Sequence, residues 1–124
     1  MTVLIDSWAW IEYINGSQVG KKVQEFMDGN DECIVSTINI AEVYKKLLAD
    51  LPKEANVIIG KILQIAFVIP LNTEIALHAG RIKHEKKMGM ADAIVLATAR
   101  LHNAKIVTGD SDFKKENDVI YIGK

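Results

Sequence analysis

The chain has 124 residues, a net charge of −1, 49% apolar side chains and 25% charged ones. That length sets one domain, 1–124, able to bury roughly two thirds of its unfolded surface, and the composition excludes disorder. Near-neutral charge excludes a global attraction to nucleic acid, and no apolar run nears the roughly 20 residues needed to span a bilayer.

Thr2 to Ile5 reads as a short buried strand, with Asp6-Ser7 as a helix-start signal after it. A strand so early leaves no room for a secretory signal, so a cytoplasmic protein is expected. Trp8 to Ile14 is a brief helix stopped by Asn15-Gly16, and residues 17–28 form a second helix ending at Gly29-Asn30. Glu32 to Ser36 is the second strand. Its Cys33, the only cysteine, excludes an intrachain disulfide and reads as a buried thiol beside Ile34-Val35. A helix is predicted from Ile38 to Ala49 with Pro52 just beyond it, and another from Lys53 to Ala66. The strand Phe67 to Pro70 follows. Asn72 or Thr73 then caps a helix reaching Lys87, before Gly89. Ala91 to Asn103 is an apolar helix, and Lys105 to Thr108 and Val119 to Ile122 are the last strands. Strands alternating with helices predict a parallel sheet covered on both faces.

In such open α/β folds the functional crevice lies beyond the carboxyl ends of the strands. Asp6 closes the first strand, where it reads equally well as a cleft carboxylate or as an N-cap. Asp92 shares a side with Val95, Leu96 and Ala99 on an almost wholly apolar helix. A charge there requires capping, pairing or a cation, although the helix dipole also favours an Asp in the first turn. Asp110 and Asp112 sit in a turn after the strand ending at Thr108, and Gly, Asp and Ser are turn formers in any case. Asp110 is the expected ligand, and Asp112 a loop cap or an outer partner, with Thr108 and Ser111 as hydroxyl support. Glu42 falls opposite the buried stripe Ile40, Val43, Tyr44, Leu47 and Leu51, so periodicity alone assigns it to solvent; only a cleft on that side would make it a ligand, and Asn39, three residues earlier, would then line the same wall. Carboxylates that converge repel one another unless a cation neutralises them, and Mg²⁺ is a hard ion that takes oxygen ligands.

Arg81, Lys83, Lys86 and Lys87 form the densest basic segment, either a solvated helix face or a contact for a phosphate backbone. His78, His84 and His102 lack metal-ligand spacing, so zinc is not expected. Trp8 and Trp10 read as core or interface anchors more readily than as stacking platforms. The arc of Val57, Ile58, Ile59, Ile62, Leu63 and Ile65 is wider than one core-facing stripe needs. With the crowded Trp8 helix, it suggests an interface.

Taken together, Val3-Leu4-Ile5-Asp6-Ser7, Ala41-Glu42-Val43, Met90-Ala91-Asp92-Ala93-Ile94-Val95-Leu96-Ala97-Thr98-Ala99 and Thr108-Gly109-Asp110-Ser111-Asp112-Phe113 resemble the PIN domain. More narrowly, the chain resembles VapC-type toxins, the ribonuclease halves of toxin–antitoxin pairs. The resemblance implies an α/β three-layer sandwich with a central parallel sheet. It also implies Mg²⁺ or Mn²⁺ held chiefly by Asp6 and Asp92, with Glu42 and Asp110 completing the acidic pocket. Ser7, Asn39, Thr108 and Asp112 would then lie just behind those ligands. An endoribonuclease acting on RNA, a VapB-like antitoxin as inhibitor and a homodimer are its further implications. Ser7-Trp8 after Asp6 departs from the smaller polar residue common there.

Two other classes are weighed against this one. A receiver-like phospho-acceptor domain needs paired acids after the first strand and an Asp after a middle strand, and this chain has Ser7 and Ser36-Thr37 instead. A catalytically idle PIN scaffold would not need all four acids.

Overall fold

The computed structural model describes residues 1–123. Five strands and six helices alternate, in the order β1 (Thr2–Ile5), α1 (Ser7–Asn15), α2 (Gln18–Asp28), β2 (Glu32–Ser36), α3 (Thr37–Asp50), α4 (Ala55–Ile65), β3 (Phe67–Ile69), α5 (Thr73–Glu85), α6 (Met90–Leu101), β4 (Ala104–Thr108) and β5 (Val119–Tyr121). A single turn of 3₁₀ helix, Ser111–Phe113, stands where a plain turn was expected. All strand pairings are parallel and the sheet order is β3-β2-β1-β4-β5. The order reverses direction between β1 and β4, which is where an open sheet leaves a crevice. A receiver-like domain would have the order 2-1-3-4-5 instead.

Period-two alternation divides the strands between two cores. Leu4, Ile34 and Ile106 face α5 and α6 through Ile75, Ala79, Val95 and Leu96. Val3, Ile5, Cys33, Val35 and Val107 face the other way, onto Trp10, Val23, Val43, Leu47 and Ile62. The sheet is therefore the middle of three layers, as expected, and its central strands are apolar on both sides. No helix among the described residues is long and apolar enough to cross a membrane.

Each helix starts on a polar cap where the sequence offers one. Asp6, Ser17, Ser36 and Asn72 accept from backbone N–H groups of α1, α2, α3 and α5. Gly16 ends α1 in the left-handed conformation, φ 67°, and returns its N–H to Glu12 and Tyr13 carbonyls. Three helix boundaries differ by two residues from the sequence-based expectation, one of them the end of α6, at Leu101 rather than Asn103. Helix α4 begins at Ala55, a buried residue, and leaves Lys53 and Glu54 outside it. Helix α5 ends at Glu85, because Lys86 is extended and Met88 drops into the core beneath α6. Lys86 and Lys87 are thus off the helix that carries Arg81 and Lys83.

Candidate acidic metal centre

The register of the sheet builds the site. Ile5 pairs with Val107, so Asp6, just past the end of β1, stands beside Thr108, the last residue of β4. The Thr108 hydroxyl donates to Asp6 Oδ2, while Asp6 Oδ1 accepts from Ala9 N–H at 3.0 Å. Both readings of Asp6 hold at once, since one oxygen caps α1 and the other faces β4. The Thr108 oxygen in turn accepts from Asp110 N–H at 2.9 Å, and Asp110 Oδ1 accepts from Asp112 N–H at 2.9 Å. The turn after β4 is held by its own polar groups.

From the other walls, α6 supplies Asp92 in its first turn, near the positive end of the helix. Helix α3 supplies Asn39 and Glu42. Glu42 is exposed, as its periodicity demands, yet Ser7 Oγ donates to its Oε1 at 2.6 Å and Asn39 Nδ2 donates to Ser7 Oγ at 2.9 Å. That chain of bonds turns Glu42 toward the crevice. Asp6, Glu42, Asp92 and Asp110 consequently line one cavity of about 70 Å³, with Ser7 and Asn39 among them and Trp8, Val95 and Phe113 as its apolar wall.

The electrostatics follow from this crowding. Burial pushes the Asp6 carboxyl from 3.8 to about 7, against the lowering effect of the Thr108 and Ala9 bonds, and Asp110 and Asp92 repel it further. Burial is also the largest cause for Asp92, raised to about 6, with repulsion from Asp110, Asp112 and Glu42 and a side-chain bond to Asp112 adding to it. The donor set is all oxygen. Asp92, Asp110 and Asp112 each offer a carboxylate oxygen within 4.8 Å of the others. Asn39 Oδ1 is buried beside them without a hydrogen-bond partner in the protein. Such a set fits a hard divalent cation. Asp112, expected as a cap or outer partner, joins Asp92 and Asp110 in that group, while Asp6 and Glu42 meet them across the cavity.

The profile of the family described as PIN domain matches residues 3–117. The chain belongs to the PIN domain family. Solved structures share its fold over nearly their full length. A toxin–antitoxin complex from Klebsiella pneumoniae has 24% identity and a TM-score of 0.84, with 98% of each chain covered. VapBC2 from Rickettsia felis, bound to a promoter DNA fragment, has 19% identity and a TM-score of 0.79, covering 98% of this chain and 97% of that one. Mycobacterium tuberculosis VapC20, described as a sarcin–ricin loop cleaving toxin, has 14% identity and a TM-score of 0.73, covering 93% and 95%. No curated protein sequence matches the chain significantly.

The remaining sequence candidates divide. Arg81, Lys83 and Lys87 are exposed on the PIN domain surface. Lys86 is committed to Glu116 Oε1 at 3.1 Å, in a network where Arg100 also binds Glu116 and Asp118. The two tryptophans part company. Trp10 is fully buried, edge-on to Tyr13, whereas Trp8 covers the acidic cavity. The sequence placed both tryptophans near Asp6 without telling them apart; the Trp8 ring is set against Gly109, just past the neighbouring strand β4.

Proposed function

We propose that this PIN domain protein is a Mg²⁺- or Mn²⁺-dependent endoribonuclease, acting as the toxin of a toxin–antitoxin pair. The observation that carries the reading is the convergence of Asp6, Glu42, Asp92 and Asp110 on one small cavity at the sheet's switch point. Asp6, Asp92 and Asp110 would hold the cation, with Glu42 and Asp112 beside them. When bound, the ion lowers the pKa of water and offsets the charge of a phosphodiester. Asp6 is kept in place by Thr108 and Ala9, and Asp110 by its Thr108 and Asp112 contacts. Glu42, exposed and oriented through Ser7 and Asn39, is the carboxylate suited to take a proton from attacking water. Arg81, Lys83 and Lys87 are the free cations proposed to meet the RNA backbone.

An RNA substrate is supported by the description of one structural relative as a sarcin–ricin loop cleaving toxin. An antitoxin partner is supported by relatives solved as toxin–antitoxin complexes. For such a partner the chain offers a groove of about 460 Å³ between α1 and α4, lined by Tyr13, Ile14, Ile58, Ile62 and Ile65. A homodimer would cover other exposed apolar side chains, such as Phe67, Leu71 and Leu77.

The test is cleavage of total RNA by the purified protein with Mn²⁺ or Mg²⁺. Cleavage is expected to stop on adding EDTA and to be absent in Asp92→Asn. Cleavage that survives both treatments, or none with either ion in the free toxin, refutes the assignment.

A further inference from the structure

Beside the acidic cavity, and sharing a wall with it, lies a second groove of about 440 Å³ that the reaction described above leaves unused. Trp8 lines both spaces. The other walls are Glu12, Val19, Gly109, Ser111, Tyr121 and Gly123. Gly109 and Ser111 flank Asp110, so the loop that presents that carboxylate also forms the floor of the groove.

Resting on the ribonuclease reading, we propose that this groove is a nucleobase subsite, in which the base next to the scissile phosphate stacks on Trp8. Three observations carry it. The indole is fixed in place rather than loose. Its six-membered ring lies against Gly109 so closely that a Cβ there would overlap the ring carbons, so only glycine lets the ring occupy this position. A fixed aromatic face loses little freedom on binding. Second, the walls suit an aromatic heterocycle. Trp8 and Tyr121 are aromatic, and Glu12 supplies a carboxylate able to accept from an exocyclic amino group. Third, Lys114 holds its ammonium 5.2 Å from the centre of the Tyr121 ring, which puts a positive charge beside the groove for a neighbouring phosphate. A base seated here is continuous with a phosphate at Asp110, because the two spaces share Trp8 and the Gly109–Ser111 loop.

Trp8 and Trp10 are the only tryptophans, and Trp10 is fully buried, so a change of emission on binding reports Trp8. The experiment titrates Asp92→Asn protein in Mg²⁺ with an eight-nucleotide oligoadenylate and with an abasic ribose-phosphate oligomer of equal length. Quenching by oligoadenylate alone is expected, with binding about tenfold tighter than that of the abasic oligomer. Adding Trp8→Leu should erase the difference, and Trp8→Phe, which keeps a stacking face, should restore it. Circular dichroism and the remaining Trp10 emission establish that the variants are folded. Equal affinity for the two oligomers, or an unchanged preference in a folded Trp8→Leu, overturns the proposal. In the otherwise wild-type enzyme, Trp8→Leu should raise KM for RNA more than it lowers kcat. RNA cleavage with KM unmoved by Trp8→Leu leaves the nuclease standing and removes the subsite. Base-dependent quenching in a protein that cleaves nothing keeps the subsite and removes the nuclease.

Discussion

Replacing Asp6 by Asn should stabilise the metal-free protein, and should do so only at neutral and alkaline pH. Asp6 is 4% exposed, and burial is the main reason its carboxyl titrates at about 7 rather than 3.8. The folded-state value lies above the unfolded one, so the native protein keeps a proton that the unfolded chain has lost. The contribution of this group to stability is therefore fully present below about pH 4, is lost as pH rises to about 7, and is level beyond that. The full native-state cost of the ionised group is about 4 kcal/mol. Asparagine removes that cost and keeps an oxygen for Ala9 N–H, but its amide nitrogen cannot accept from the buried Thr108 hydroxyl, and leaving that donor unpaired costs about 2 kcal/mol. A net gain of about 2 kcal/mol at pH 8 corresponds to a Tm higher by roughly 6–10 °C for a domain of this size. Thermal unfolding followed by circular dichroism in EDTA, at pH 4.5 and pH 8, measures the difference directly. The gain should vanish at the lower pH. Adding Mg²⁺ should raise the Tm of the parent and much less that of the variant, since a ligand stabilises the form that binds it. A parent protein whose stability does not change between these pH values, or a variant with the same advantage at both, would refute the argument from burial.

Other substitutions separate the parts of the site. Asp92→Asn should abolish metal-dependent RNA cleavage in a gel assay while the protein stays folded, and Glu42→Gln should lower kcat at least tenfold; near-parental rates in either would remove that residue from the site. Joint replacement of Arg81, Lys83 and Lys87 by Ala should weaken RNA binding and reduce the slope of log Kd against log salt by up to about three, whereas an unchanged slope makes them a plain solvated surface. Lys86→Ala should act on stability instead, by about 0.5–1 kcal/mol in urea unfolding, because Lys86 is only partly exposed and already paired with Glu116. Gly20→Ala should destabilise by about 1–3 kcal/mol, since α2 crosses α1 there and a methyl group would meet the Glu12 backbone; a neutral result would show that the helices can separate freely.

The elements were legible because the chain is locally consistent. The apolar runs Val3-Leu4-Ile5 and Ile106-Val107 do become central strands, and Asp6 and Asn72 do cap helices. What period and propensity did not reveal lies in contacts between distant segments. Glu42 stands on the solvent side of α3, as its spacing says, and only the Ser7 and Asn39 bonds direct it toward Asp6. Nothing local distinguishes that glutamate from a solvated one, and it was the resemblance to a known arrangement that singled it out. The end of α5 was placed two residues late because Lys86 and Lys87 are good helix formers. The demand of Met88 for the core outweighs that propensity. Asp112 was read from its turn as a loop cap or an outer partner of the ligands, and the 3₁₀ turn sets its carboxylate beside Asp92 and Asp110.

The bond between Thr108 and Asp6 joins residues 102 positions apart, and it is made through two strands that neighbour each other in the sheet but not in the chain. During synthesis β1, β2 and β3 emerge first, and even once α6 has followed, Asp6, Glu42 and Asp92 have no β4 to stand against. Until Thr108 arrives, Asp6 lacks the hydroxyl that holds it, and Asp110 does not yet exist. A growing or truncated chain that stops short of β4 therefore carries three of the four acids but lacks the strand and turn that close the site. For an enzyme proposed to cut RNA, and made by a machine built of RNA, that ordering delays activity until the fold around it is nearly closed.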